Sequence, residues 1–315
     1  MGLASFGTNS DRQIRSVTGL SFEALNYLLP FFTLGLENAR QVIFEEQKAK
    51  GTRKRAIGGG RKGALNTAVL KMVFILCYLK SYPTFDKLGY DFGLTGGKAE
   101  KNVKRLLPIL YQVLADLGYL PKRSFSSVDE LIAAFKDKGP LLVDVTERAT
   151  QRPKDSVEQK SKYSGKKKRH TIKNTVISTI SKTILFLGKT TNGSQHDFAM
   201  FKSEFPTEQE WFACFELLVD LGYLGIEKNY NSLKVLIPYK KPRKSKNNPN
   251  PQLTDEQKEY NTQVSRVRIL VEHAIGGMKR FNILVHRFRS RTNQMADLAI
   301  ELAAGLWNLQ LDINK

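Results

Sequence analysis

The stretch that decides the fold is "LLVDVTE" at residues 141–147. Leu141, Leu142 and Val143 are typical of a strand that enters a hydrophobic core. Asp144 follows them directly, and the pattern places it at the end of that strand. A carboxylate buried without a partner costs free energy, so we expect Asp144 to meet a hydrogen-bond donor, a cation or a metal ion.

The same pattern, an apolar run that ends in aspartate, returns in "LLVDLGY" at residues 217–223, where Asp220 follows the run. A third acid, Glu272, adjoins the apolar face of a predicted helix in "RVRILVEHAIGGMK" at 266–279. If the two strands are neighbours, their backbones lie about 4.8 Å apart, close to the roughly 3.5–4 Å between the ions of a hydrolytic metal pair. Carboxylate oxygens suit Mg²⁺ or Mn²⁺, so the three acids are candidate ligands of two such ions. For one such aspartate alone, a cap or a turn is the commoner role.

The charge balance indicates a polyanionic partner. The 315 residues include 50 Lys and Arg against 30 Asp and Glu, a formal net charge of +20. Phosphate neutralisation supplies most non-specific affinity for nucleic acid, so double-stranded DNA is the expected partner. An anionic membrane surface is the alternative partner. The sequence has neither an apolar run of about 18 residues nor a signal-peptide pattern, so we expect no membrane role. Cys77 and Cys214 are expected to be buried free thiols of a reducing compartment.

Helical spacing dominates the N-terminal third, where helices are expected from near Ser21 and over 66–80. Thr84 suits the N-cap of a short helix, "GLTGG" at 93–97 breaks it, and a second helix starts near Lys98. A short helix, a glycine turn and a helix with a basic outer face are typical of a helix-turn-helix DNA-binding motif; an ordinary helical hairpin is the alternative. The basic face consists of Lys98, Lys101, Lys104 and Arg105. The Gly-rich basic loop at 50–65 is a further candidate for phosphate contact.

From residue 139 onward the composition changes to short β-rich runs. Their order is three strands, a short helix and a fourth strand, which predicts a mixed sheet with helices packed on it. "KVLIPYKK" at 234–241 is a candidate for one more strand, "PRKSKNNPNPQ" at 242–252 a loop, and the last segment an amphipathic helix. The predicted domains are a helical DNA-binding domain at 1–125 and an α/β catalytic domain at 126–315 with a loop insert near 228–263.

Five blocks of the sequence, taken in order, resemble those of a known family. They are "VDVTE" (143–147), "YSGKKKRHTIK" (163–173), "GSQHDF" (193–198), "VDLGY" (219–223) and "VEHAIGGMKRF" (271–281). Together they are similar to the DDE transposases, and most similar to the bacterial insertion-sequence group related to PIF/Harbinger elements. The resemblance implies an RNase H-like fold with strands one and four adjacent, preceded by an all-α helix-turn-helix domain. It also implies that Asp144, Asp220 and Glu272 are the catalytic metal ligands.

Asp197, in "GSQHDF", is the alternative to Asp220 as the second ligand, but its place before a short helix also suits an N-cap. Lys279 follows Glu272 by seven residues, about two helical turns, so it and the next residue, Arg280, are predicted to hold a DNA phosphate beside the metals. A cationic turn between the first two long strands is predicted to grip DNA near the acid cluster. Its residues are Lys166, Lys167, Lys168 and Arg169.

The expected function is therefore a transposase that binds the terminal repeats of its element, cleaves DNA strands in a metal-dependent reaction and transfers them to target DNA. The cofactor is expected to be Mg²⁺ or Mn²⁺, two ions. A homodimer or higher oligomer on DNA is expected because two ends must be held together, and the expected place is the bacterial cytoplasm, at the nucleoid. Two alternatives stay open: a metal-dependent endonuclease without joining activity, and an inactive transposase-derived DNA-binding protein.

Overall fold

The chain divides into two units whose segments alternate along the sequence. The computed structural model describes residues 10–53, 55–58, 63–246 and 248–314. The helical unit comprises the described parts of Met1–Leu120, Met278–His286 and Gln294–Lys315. The sheet unit comprises the described parts of Pro121–Gly277 and Arg287–Asn293. Residues 54 and 59–62 of the predicted basic loop, and residue 247 of the predicted insert, lie outside the described residues.

Within the residues that the structure describes, the helical unit begins with five helices, and local sequence sets the start of most of them. Ser21, Thr67 and Thr84 each accept a backbone N–H bond at a helix start, which satisfies a donor that the helix itself leaves unpaired. The predicted N-cap at Thr84 is thereby confirmed. The helices are α1 (Asp11–Thr18), α2 (Phe22–Ala49), α3 (Ala68–Ser81), α4 (Phe85–Asp91) and α5 (Gly96–Asp116).

The turn between α4 and α5 is as tight as the glycine pattern predicts. A Cβ atom on Gly89 would lie 2.6 Å from the carbonyl oxygen of Leu94, a distance that only a glycine tolerates. Gly93 adopts a φ of 65°, in the left-handed region that favours glycine. The predicted pair of a short helix and a longer helix is confirmed, and the buried stripe of α5 includes Val103, Leu106 and Leu110.

The last helix, α10 (Asn293–Ile313), supplies core to the helical unit. It was predicted to be amphipathic, but every residue from 299 to 310 is buried. A helix that is covered on all sides must satisfy its polar groups inside the protein. The Gln310 side chain accepts the Ser21 N–H at 2.7 Å, and Asn308 donates to the Tyr119 carbonyl at 3.0 Å.

The sheet unit contains the mixed sheet that the sequence predicts. Its strands are β1 (Leu141–Ala149), β2 (Tyr163–Ser164), β3 (Arg169–Ser178), β4 (Ile184–Leu187), β5 (Thr191–Asn192), β6 (Glu216–Leu218) and β7 (Lys234–Leu236). Its helices are α6 (Val128–Phe135), α7 (Ser156–Lys162), α8 (Asp197–Glu204) and most of α9 (Asp255–Met278). Strand β7 confirms the prediction made for "KVLIPYKK".

The strand order brings the first and fourth predicted strands together. The sheet runs β2-β3-β1-β6-β7, with β4 and β5 also paired to β3. Strand β1 is antiparallel to β3 and parallel to β6, and β6 is parallel to β7. The predicted adjacency of the strands that precede Asp144 and Asp220 is therefore confirmed.

An aromatic core underlies this sheet. The Phe201, Phe205 and Phe212 rings pack on one another with centroids 4.9 to 5.3 Å apart. Burial of such large rings stabilises the unit by their apolar area and by tilted ring contacts. This core holds β6 and helix α8 in place, and both elements lead into the site described below.

Two local predictions were wrong. Asp144 does not end its strand, because β1 continues to Ala149. The later polar residues of β1 are accommodated inside the sheet: Arg148 is only 2% exposed and donates to Asn174 of β3 at 2.9 Å. Cys214 is exposed and Cys77 only partly buried, because an apolar local context does not specify which side of a segment faces the core.

Candidate active site

Asp144 and Asp220 are brought to the same level of the sheet by strand pairing. Strands β1 and β6 run in parallel with Leu142 opposite Leu218. Asp144 lies two residues beyond Leu142, and Asp220 two residues beyond Leu218. Equal steps from this pair therefore lead to Asp144 within β1 and to Asp220 just past the end of β6, and the charge of Asp220 acts on the Asp144 carboxyl.

The Asp144 carboxyl is held in a largely buried position within β1. Its Oδ1 atom accepts the N–H of Val145 at 2.8 Å. The pKa of Asp144 is raised to about 6, chiefly by burial and also by the negative charges of Asp220 and Glu272, against the Val145 bond and the positive charge of Arg268. The same carboxyl therefore responds to both other predicted acids, which indicates that the three groups share one electrostatic environment.

Asp220 has the structural role that the sequence left open as an alternative to metal binding. It stands at the N-terminus of the short 3-10 turn Leu221–Tyr223, where its Oδ1 atom accepts the Gly222 N–H at 2.8 Å. It is thus a turn former, as a lone aspartate would be expected to be. The turn also fixes the carboxylate at the end of β6, since the backbone bond restricts its rotamer.

Glu272 approaches from helix α9, which confirms the predicted helix through both glycines of "AIGGM". Its side chain is 55% exposed and accepts a bond from Arg268 at 3.2 Å. Arg268 lies four residues earlier, on the same helix face. The Nε atom of Arg268 is buried without a hydrogen-bond partner in the part of the chain that the structure describes. Sequence reasoning missed Arg268, although its i, i+4 spacing to an acid was available.

The donor set suits a hard divalent cation, but the side chains are not gathered around one point. Among the described residues, no group of three or more His, Cys, Asp or Glu side chains has the geometry to hold a metal ion. The chemistry nevertheless fits: the negative charges of Asp220 and Glu272 raise the pKa of Asp144, and Arg268 is the cation that opposes this effect. Divalent ions with oxygen ligands relieve such repulsion.

Asp197, the alternative second ligand, is held by a lysine. It is the first residue of α8, after the N-cap residue His196. Its carboxylate accepts a bond from Lys173 Nζ at 2.8 Å, and Lys173 also donates to the Gln195 carbonyl at 2.8 Å. The Asp197 charge is therefore balanced by a lysine of strand β3.

A buried tyrosine adjoins these acids, and sequence reasoning gave it no role. Tyr223 is 1% exposed, and its hydroxyl has no hydrogen-bond partner among the residues that the structure describes. Burial raises the pKa of Tyr223 well above its usual value, and nearby carboxylates raise it further. Those carboxylates belong to Asp144, Asp197, Asp220 and Glu204. Tyr223 follows Asp220 by one 3-10 turn, so its placement depends on that turn.

The predicted basic face of α5 separates into two groups. Lys98, Lys101 and Arg105 line a groove of the helical unit. Lys104 instead pairs with Glu100 at 2.7 Å. Helical periodicity places these residues near one another but does not decide which of them meets an acid.

The cations predicted to lie near the acids stand elsewhere. Lys166 to Lys168 form the turn between β2 and β3, and Arg169 begins β3. Val176 of β3 is the cross-strand partner of Asp144, and seven residues of extended strand from Arg169 to Val176 span about 24 Å. The prediction that this turn adjoins the acid cluster was therefore wrong, because β3 is long and the turn is at its far end.

Lys279 and Arg280 follow helix α9 directly and belong to the helical unit. The Arg280 guanidinium lies over the Trp307 ring, 5.1 Å from its centroid, and the Arg280 carbonyl accepts a bond from Lys80 at 2.8 Å. Their predicted contact with DNA stays a prediction.

Comparison with known proteins defines the class. Residues 143–308 match the family described as DDE superfamily endonuclease, a span that contains most of β1 and all of β6 and α9. The chain belongs to this family and is a nuclease that acts on DNA. It is 30% identical over 303 residues to the probable transposase for insertion sequence element IS702 of Microchaete diplosiphon, with 95% of each chain covered. No solved structure matches the chain significantly.

The comparisons support the predicted resemblance to bacterial insertion-sequence DDE transposases. The mixed sheet flanked by helices is consistent with an α/β nuclease fold. Within the described ranges, the structure contains no helix that is both long enough and apolar enough to cross a bilayer.

Proposed function

We propose that this chain is the transposase of an insertion sequence, and that Asp144, Asp220 and Glu272 form its strand-cleavage centre in an RNase H-like sheet unit. The observation that supports this most directly is the register of β1 and β6, in which equal steps from a paired position lead to both aspartates. The effect of the Glu272 charge on the Asp144 carboxyl supports the inclusion of Glu272.

The three carboxylates are the groups that would hold two divalent ions, Mg²⁺ or Mn²⁺. When bound, such ions stabilise the negative charge on the attacking and leaving oxygens of a phosphodiester displacement. Asp144 and Asp220 are fixed by backbone hydrogen bonds from Val145 and Gly222, so their positions change little on binding. Glu272 sits on an exposed helix face and is held by Arg268, which balances its charge when no divalent ion is present.

The proposed reaction has two displacements at phosphorus. In cleavage, a water oxygen forms a bond to a phosphorus atom at the element end, the bond to the 3′ oxygen breaks, and that oxygen takes up a proton. In strand transfer, the freed 3′-hydroxyl loses its proton and bonds to a target phosphorus atom while a target strand oxygen leaves. One phosphodiester forms for each that breaks, so the transfer needs no external energy source.

DNA recognition is assigned to the helical domain, proposed as residues 1–125 with α4 and α5 as a helix-turn-helix. The catalytic domain is proposed as 126–315, with its insert near 228–263. Two element ends must be held together for coordinated cutting, so the working form is a homodimer or a higher oligomer on DNA. Such an enzyme would act where the bacterial chromosome lies, in the cytoplasm.

The test uses labelled duplexes taken from the DNA that flanks the gene on each side, together with an unlabelled target plasmid. Cutting and joining are scored separately in Mg²⁺, Mn²⁺ and EDTA. We expect both products with either ion and neither in EDTA. Asp144→Asn should still bind the duplex and produce neither product, whereas Asp129→Asn, an exposed aspartate of the same unit, should behave as wild type.

Two outcomes would contradict the proposal. Cutting without joined product would make the chain an endonuclease. Binding that persists in EDTA, without cutting after metal addition, would make it an inactive DNA-binding protein. A thermal unfolding midpoint that rises with Mn²⁺ in wild type and not in Asp144→Asn would support the ion site independently of activity.

A further inference from the structure

The helical unit contains a groove, lined by described residues of α2, α3 and α5 and of the segments that precede α3 and α5, with a volume of about 1370 Å³. Six cationic side chains line it, against the single carboxylate of Glu37 among the described residues that line it. The cations are Arg40, Arg53, Lys71, Lys98, Lys101 and Arg105. A wall of one charge sign raises the local concentration of the opposite ion.

Lys71 is the groove cation whose surroundings disfavour its positive charge. It is half-buried, and its pKa is lowered by burial and then by the positive charges of Arg105 and Arg40. Neither Lys71 nor Arg40 forms an ion pair with an acid of the described chain. The Arg105 guanidinium donates to the neutral side chain of Asn102 at 3.1 Å. Three positive charges therefore meet without neutralisation.

Three other surface cations of the same unit are paired. Arg15 pairs with Asp11, Lys87 with Asp91 and Lys104 with Glu100, each four residues apart. Ion pairs between residues four apart are a common arrangement on helix surfaces, but Lys71 and Arg40 of the groove form none with an acid that the structure describes. A polyanion would relieve the repulsion in the groove, because it brings negative charge to groups that are already partly desolvated.

The groove wall favours the backbone of duplex DNA over single-stranded bases. None of the described residues that line the groove is aromatic, whereas single-strand binding grooves stack bases on aromatic rings. From Lys98 to Arg105 the axis of α5 rises about 10 Å, which matches about three nucleotide steps of one strand. The polar donors of Asn66 and Asn102 add hydrogen bonds suited to phosphate oxygens.

We propose that this groove binds the sugar-phosphate backbone of duplex DNA, with Lys71 and Arg40 as its phosphate anchor. The proposal rests on the proposed function. It differs from DNA recognition by the outer face of α5 alone, because three helices contribute to the groove. Its contacts are to phosphate, so it supplies affinity and register without base specificity.

The experiment measures the dissociation constant of a random-sequence 30-base-pair duplex, in EDTA, over a range of salt concentrations. Each lost phosphate contact should lower the slope of log affinity against log salt by about 1. We expect that decrease in Lys71→Met and in Arg40→Gln, with affinity lower by roughly fivefold in each. Lys48→Gln removes the same charge from α2, the helix of Arg40, at an exposed position outside the groove. It should leave the slope nearly unchanged.

Two further measurements separate lost contact from lost folding. Lys71→Met should unfold at the same temperature as wild type or higher, because it removes a partly buried cation from two guanidinium groups. Lys71→Arg should restore the slope. Equal slope losses in Lys48→Gln and the groove variants, or none in the groove variants, would overturn this proposal and leave the proposed function intact. A folded wild-type chain that binds no duplex would instead overturn the proposed function.

Discussion

Two regions of the molecule gather charge of one sign, and they do so by different means. In the sheet unit, Asp144 and Asp220 are positioned by strand register and backbone hydrogen bonds. In the helical unit, the groove cations come from long side chains on three helices and on the segment that follows α2. Both arrangements cost stability in the absence of a partner.

The difference teaches what each region needs. Metal ligands must be placed to within about half an ångström, which rigid backbone supplies. Phosphate attraction acts through a field that extends over about 10 Å at moderate salt, so flexible side chains suffice. The following experiments are arranged from the largest expected effect to the smallest, and each tests this contrast.

The largest effect on cleavage is expected when each of the two candidate second ligands, Asp220 and Asp197, is replaced by asparagine. Asp220→Asn should lower the DNA cleavage rate by at least about a thousandfold, since it removes several kcal/mol of charge stabilisation. Asp197→Asn should keep the rate within about tenfold of wild type, because Lys173 already neutralises Asp197. A cleavage assay on the flanking-DNA duplex decides between them. If Asp197→Asn were the inactive variant, the assignment from strand register would be reversed.

A second experiment asks whether a buried acid of the sheet unit always marks the site. Glu204 has both carboxyl oxygens buried without a hydrogen-bond partner among the described residues. Burial raises its pKa to about 7, against the effects of the Thr175 hydroxyl and the Arg123 charge. Since the folded pKa exceeds the unfolded value, the stability that the neutral acid provides is full below about pH 4.5 and is lost as pH rises through about 7.

Glu204→Gln should therefore raise the free energy of unfolding by up to about 3 kcal/mol at pH 8 and by less than about 1 kcal/mol at pH 5. Urea unfolding at the two pH values measures the difference. Glu259→Gln, at an exposed position of α9, is the control and should change neither value. A decrease in stability at pH 8 would mean that the Glu204 charge is compensated, and this acid would then join the list of functional candidates.

The smallest effect distinguishes two lysines of α5. Lys101→Gln should lower the salt slope of duplex binding by about 1, because Lys101 lines the groove. Lys104→Gln should lower it by less than half as much, since Lys104 pairs with Glu100. Loss of that exposed pair should cost only about 0.3–0.5 kcal/mol of stability. Equal slopes for the two variants would favour the outer helix face, and not the groove, as the DNA contact.

Parts of the fold could be predicted because they depend on neighbours in sequence. The cap at Thr84, the glycine turn before α5 and the order of strands are local patterns, and the structure confirms them. The sequence predicts that the first strand ends at Asp144, because the polar residues that follow, such as Arg148, are uncommon inside a strand. In the structure, β1 continues to Ala149. The partner of Arg148, Asn174, lies on another strand, so the sequence contained no sign of it.

The candidate site divides in the same way. The repeated pattern of an apolar run followed by aspartate identified Asp144 and Asp220, and the i, i+4 spacing could have identified Arg268. The hydroxyl of Tyr223 and the pairing of Asp197 with Lys173 could not be foreseen, because each depends on which loops meet.

By itself, the sequence determined the net positive charge, the helical start of the chain, the β-rich middle and the three acids that resemble a DDE set. These follow from composition and from periodicity over a few residues. Only the tertiary structure decided that β1 and β6 pair in register, that the cationic turn lies far along β3, and that Asp197 is paired with Lys173. Charges and strands acquire their partners through contacts between distant segments, and no local pattern encodes those contacts.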